Sequence, residues 1–136
     1  MSLNPRCANG PLNCGRPTIL NASTTSISGT PAFSIYSATK AAVRSFARCW
    51  TLDLKDRGIR VNAVSPGPIH TPGLAALAGP DTAQQEGLLG YMAAQVPMGR
   101  LEKPEEVGRA VVSLASSDSS FITGIELFVD GGIAQV

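Results

Sequence analysis

The chain has almost no surplus charge of either sign. In 136 residues, 11 Lys and Arg stand against 10 Asp and Glu, a formal net charge of +1. That balance excludes an electrostatic grip on nucleic acid or on an anionic membrane surface. No stretch approaches the roughly 18 consecutive apolar residues of a membrane span, and the Pro-bearing N-terminus lacks the basic-then-apolar form of a signal peptide. A soluble, cytoplasmic protein is the expectation. The three cysteines, Cys7, Cys14 and Cys49, follow no zinc or redox spacing, so no metal site is expected. The single histidine, His70, sits in a Pro-rich loop with no Gly-x-Ser-x-Gly elbow to serve, which excludes a serine hydrolase. Internal repeats and low-complexity tracts are absent. With 43% hydrophobic residues, the chain is one domain's worth of material, and its expected partners are small molecules or further copies of itself.

What is present falls into a sequence of short elements. Residues 1–17 read as an irregular leader, because three Pro, two Gly and three Asn leave no period in it. Gly10 and Gly15 do not make a phosphate loop there, since Pro11 and Pro17 spoil the strand-turn-helix context that such a loop needs. TILNA, 18–22, suits a buried strand and runs into a Ser/Thr-rich loop. A helix is predicted over 36–57, where Val43, Phe46, Ala47, Trp50 and Leu54 recur at steps of three and four and Gly58 provides the stop. Small or apolar residues on most of its sides, Cys49 among them, predict that it is covered on most sides. IRVNAVS, 59–65, alternates as a strand. The glycine-interrupted stretch 72–96 reads as a mobile loop with one or two short helices, whose Leu88, Leu89, Tyr91 and Met92 are candidates to line an apolar pocket. A helix over 105–116 carries acids in its first turn, and IELFV, 125–129, is a final strand. This order predicts an α/β fold with a parallel sheet of about three strands.

The feature that carries chemistry is YSATK. Tyr36 and Lys40, four apart on a helix, share one face, so the ammonium can lie near the ring or reach past it to the same ligand. A nearby cation partly withdrawn from water favours proton exchange by a phenol. Ser23, at the end of the first strand, offers a hydroxyl to a substrate oxygen that turns from carbonyl to alkoxide.

An active-site Ser followed by Tyr-x-x-x-Lys on the next helix, with Ala41 and Ala42 after the Lys, resembles the short-chain dehydrogenase/reductase family. The resemblance continues through RVNAVSPGPIHTP, 60–72, and GRLEKPEEVGRAVVSLASSDSSFITGIELFVDGG, 99–132. It implies that residues 18–136 form the C-terminal half of a Rossmann domain. By resemblance Tyr36 exchanges a proton with the substrate oxygen, Lys40 holds the nicotinamide ribose, Ser23 orients the carbonyl, and Pro66, Gly67, Ile69 and Thr71 contact the nicotinamide end of NAD or NADP. The family's opening strand, glycine-rich turn and NNAG segment have no counterpart here. The expectation is therefore a truncated oxidoreductase of small carbonyls or alcohols that binds cofactor weakly and turns over little, and that forms homo-oligomers. The alternative is a non-catalytic remnant that folds by self-association.

Overall fold

The computed structural model describes residues 16–136, so Cys7, Cys14 and the two glycines of the leader lie outside the described residues. Within them the order is β1 (Thr18–Asn21), α1 (Ser34–Asp53), β2 (Val61–Pro66), α2 (Pro72–Ala75), α3 (Thr82–Gln95), α4 (Pro104–Ala115) and β3 (Glu126–Val129), with single 3-10 turns between several of them. The three strands form one parallel sheet in the order β1-β2-β3. Thr18 pairs with Val61 and Asn21 with Val64; Ala63 pairs with Glu126 and Pro66 with Val129. The α/β class and the three expected strands are all present, each within two residues of its predicted ends.

The central place goes to the strand richest in β-branched and small residues. All six residues of β2 are buried. Val61 and Val64, exposed by 0% and 1%, each contribute about 2 kcal/mol of burial. One face of the sheet meets α1, where Ala22, Ala47, Val61 and Ala63 form the core with Leu20, Val43, Leu54 and Ile59 packed around it. The polar exception, Asn62, is satisfied at both ends: its Nδ2 donates to the Ile122 carbonyl at 2.9 Å and its Oδ1 accepts from the Ile125 amide at 3.2 Å. It thereby fastens the entry into β3 to the middle strand. Arg60 does the same for α4, donating to the carbonyls of Leu114 and Ser116 near that helix's end.

Two sequence expectations are corrected. Cys49 is exposed, not buried. It follows Ala47, the one residue of α1 that is fully buried, by two positions, which is roughly 200° around a helix, so it points away from the sheet. Much of the helix's other apolar surface is likewise uncovered in this chain, including the stacked pair Phe46 and Trp50, 5.1 Å apart. Second, 82–95 is one continuous helix of 14 residues that runs through Gly87 and Gly90. Each glycine costs about 1 kcal/mol relative to Ala, and the N-terminus offsets part of this, since Asp81 Oδ1 accepts from the amides of Ala83 and Gln84 at 2.8 and 3.1 Å. No helix among the described residues is long and apolar enough to cross a membrane.

After β2 the chain bends at Gly67, whose position matters for the site. A Cβ there would lie 2.9 Å from the Cα of Asp130, closer than side chains approach backbone, so glycine is required where this loop crosses the turn after β3. The Gly67 amide donates to the Val129 carbonyl at 2.9 Å.

Candidate active site

The C-terminal ends of β1 and β2 open into one cleft of about 630 Å3, as expected of a parallel sheet whose ligands gather at the carboxyl ends of its strands. Ser23, Tyr36, Gly67, Ile69 and Thr71 all line it. Five of the seven residues named from the sequence thus share one space. Lys40 and Pro66 are not part of its lining but adjoin it: Pro66 is the buried last residue of β2, and Lys40 lies on the next turn of α1 after Tyr36, with its Nζ beside the Tyr36 ring.

Each group is held for a local reason. Ser23 is extended and caps the 3-10 turn Thr24–Ser26. Its Oγ accepts from the Thr25 amide at 3.3 Å and from the Thr25 hydroxyl at 3.1 Å, which leaves the Ser23 O–H free to donate, the polarity that a developing alkoxide needs. Tyr36 lies in the first turn of α1, 44% exposed, with its ring edge-on to Phe33 at 5.8 Å. Lys40 Nζ is 5.5 Å from the Tyr36 ring centroid and donates to the Asn21 carbonyl at 3.0 Å, so β1 and the ring together aim the ammonium. Thr71 Oγ1 accepts from the Leu74 amide at 3.1 Å and starts α2. The far wall is apolar, built by Leu74, Leu77, Met92 and Ile133. Of the four pocket candidates named in 72–96, Met92 alone lines this cleft; Tyr91 is turned outward and 66% exposed.

The loop 66–71 is pinned from behind. Ile69 bridges to Glu102 as a short parallel pair, with the Glu102 amide donating to the Pro68 carbonyl at 3.1 Å and the His70 amide to the Glu102 carbonyl at 2.8 Å. The Glu102 side chain is 8% exposed, and neither carboxyl oxygen has a hydrogen-bond partner of good geometry among the described residues. It faces a small cavity of about 120 Å3 that Arg100, Glu106 and Asp130 also line. Burial first, then the neighbouring Glu106 and Asp130 charges, pushes its carboxyl up to about 7, with Arg100 and the Gly67 amide opposing. Glu106 is the contrasting acid. The Arg100 guanidinium grips both its oxygens at 2.7 and 2.8 Å and, with the Lys103 amide, holds its carboxyl down at about 2. Sequence reasoning did not single out Glu102, because an acid beside Lys103 and two residues before Pro104 reads as loop surface.

The enoyl-(acyl carrier protein) reductase family model matches residues 7–134. The chain belongs to the short-chain dehydrogenase/reductase family. Among the members it resembles, the oxidoreductase asL5 of Sarocladium schorii is 43% identical over 122 residues, which are 90% of this chain and 47% of that protein. The 3-oxoacyl-(acyl-carrier-protein) reductase FabG of Thermotoga maritima is 41% identical over 107 residues, 79% of this chain and 41% of its own. The ligand-free aldohexose dehydrogenase of Thermoplasma acidophilum superposes with a TM-score of 0.83 at 35% identity, over 88% of this chain and 48% of that structure. This short-chain dehydrogenase/reductase chain therefore spans about half the length of the relatives it matches.

Proposed function

We propose that the cleft performs carbonyl–alcohol interconversion with a nicotinamide cofactor. The observation that carries this reading is the shared wall: Ser23 and Tyr36 face the same cleft as Gly67, Ile69 and Thr71, with the Lys40 ammonium beside the Tyr36 ring. The residues present fit one end of the cofactor. A flat, largely apolar ring suits the space bounded by Ile69, and the hydroxyls of Tyr36 and Thr71 and the ammonium of Lys40 suit a ribose. When bound, NAD or NADP supplies or accepts the hydride. The chain's own part is to orient and to move a proton. Ser23 donates its free O–H to the substrate oxygen, Tyr36 gives its phenolic proton to that oxygen in reduction or takes it in oxidation, and Lys40 holds the ribose.

Among the described residues no glycine-rich turn opens a helix toward the cleft, so these residues offer the pyrophosphate no cradle of amides. Whole-cofactor affinity and turnover by this chain are accordingly expected to be low. The substrate is a small carbonyl or alcohol. FabG and the aldohexose dehydrogenase support a 3-oxoester and a hexose as the first probes.

The test is amide chemical-shift mapping with reduced nicotinamide mononucleotide and, separately, adenosine monophosphate. Saturable shifts confined to residues 67–71 and the start of α1 are expected from the first and not from the second. No response to either, together with no oxidation of NADH or NADPH in the presence of ethyl acetoacetate, would sink the proposal. Self-association through α1 is the accompanying expectation, supported by Phe46, Trp50 and Leu52 at 45%, 37% and 69% exposure; a monodisperse monomer in light scattering would contradict it.

A further inference from the structure

A buried acid sits in a strand that otherwise has none. Glu126 opens β3 inside the apolar run Ile125–Val129, and its side chain is 8% exposed. Oε1 accepts from the Ser26 hydroxyl at 2.8 Å and from the Ser65 hydroxyl at 2.6 Å, while Oε2 forms a close ion pair with the Arg44 guanidinium that lacks hydrogen-bond geometry. These three partners come from three different elements, and each element carries a part of the cleft. Ser26 closes the turn that Ser23 caps. Arg44 stands four residues after Lys40 and eight after Tyr36, on the same side of α1. Ser65 immediately precedes Pro66 and Gly67.

We propose that Glu126 is a positioning residue that sets Ser23, the Tyr36–Lys40 pair and the 66–71 loop in register, through Ser26, Arg44 and Ser65 respectively. This rests on the functional reading above. Apolar side chains in place of Glu126 and Arg44 together would pack as well or better, because a buried ion pair returns little net stability once desolvation is counted. What a carboxylate adds is direction: two hydroxyl donors and one cation converge on one small group, and bonds to a charged acceptor are shorter and roughly twice as strong as neutral ones. The sheet fixes β2 against β3, and Lys40 and Thr51 tie α1 to it through the Asn21 and Val61 carbonyls at 3.0 and 3.2 Å; Glu126 joins the Ser23 turn, α1 and β2 at one point.

The test compares Glu126→Gln, Glu126→Ala and Ser26→Ala in the whole chain. Gln keeps an acceptor oxygen for both hydroxyls and loses only the charge facing Arg44; Ala loses everything. Both should melt earlier, since Arg44 is left without its partner in each. Exchange of the Thr25 and Ser26 amides should rise about tenfold in Glu126→Ala and stay within about threefold in Glu126→Gln, because opening of the turn depends on the lost acceptor. Where NADH-dependent reduction of ethyl acetoacetate is measurable, kcat should follow the same split, down about tenfold in the Ala variant with the coenzyme KM unchanged, as misorientation predicts. Ser26→Ala keeps the ion pair, so the turn amides should loosen with the melting temperature hardly moved; this arm stands even if Glu126→Ala fails to fold. The exchange measurements need no cofactor, so they judge the positioning claim even where the oxidoreductase reading has failed. Equal losses in the Gln and Ala variants, tracking their melting temperatures, would reduce Glu126 to a stability element. Unchanged turn amides in Ser26→Ala would remove the link to Ser23.

Discussion

Replacing Glu102 by Gln should make the protein more stable at pH 8 and leave it unchanged near pH 4.5. In the folded chain its carboxyl titrates at about 7, against 4.5 ordinarily. Unfolding therefore releases a proton between those values, and stability is lost as pH rises through that window. Below 4.5 the acid is protonated in both states and nothing distinguishes it from Gln. Above 7 the folded chain must hold a charge beside Glu106 and Asp130 at a small, partly open cavity. At about 1.4 kcal/mol per pH unit the ceiling is about 3.5 kcal/mol, and relaxation and water in the cavity reduce it to about 1–2 kcal/mol. For a chain of this size that is about 3–8 °C in melting temperature. Urea titrations of both proteins at pH 4.5, 6, 7 and 8, reported as differences, cancel every other titrating group. A flat difference across that range, or a variant less stable than the parent at pH 8, would refute the assignment of the raised carboxyl to Glu102.

Other outcomes follow from the same geometry. Tyr36→Phe should lower any carbonyl reduction by about 10² or more while leaving shifts induced by reduced nicotinamide mononucleotide in place, as single-turnover kinetics and the mapping experiment would check. Gly67→Ala must push against the Asp130 backbone, with a Cβ only 2.9 Å from its Cα, and should cost about 1–3 kcal/mol in denaturant unfolding. Asn62→Ala strands the Ile122 carbonyl and the Ile125 amide inside the sheet and should cost about 2–4 kcal/mol, enough to be seen as a large drop in urea midpoint. Glu106→Gln removes an exposed pair, so its effect should be small; it should be present above pH 4.5 and fade as pH falls toward 2, where the parent's own carboxyl protonates.

The elements most legible in the sequence are those whose pattern and punctuation agree. β2 was readable because IRVNAVS alternates and stops at Pro66, and α1 because its apolar steps of three and four end at Gly58. In that same helix composition says how much apolar surface there is and not which side the sheet takes, and Cys49 falls on the side away from it. Helix α3 was hidden by Gly87 and Gly90, whose propensity cost is outweighed by an Asp81 cap and by packing against its neighbours. The cleft was legible in part. Tyr36 and Lys40 are four apart and therefore necessarily neighbours, whereas the meeting of Ser23 with residues 67–71 depends on two strands pairing in parallel and was anticipated only through family resemblance. Glu126 did leave a signal, one acid within five otherwise apolar residues, but its partners Ser26 and Arg44 are 100 and 82 positions away, and no local pattern connects them.

The crossing of Gly67 over Asp130 has a mechanical consequence. Two main chains touch there with no side chain between them to yield, and the adjoining amide is already tied to Val129. Any displacement of the 66–71 loop by a ligand beneath Ile69 and Thr71 would have to pivot at this crossing or carry the Asp130–Gly132 corner along. The rim of the pocket and the Asp130–Gly132 turn are in this sense one lever.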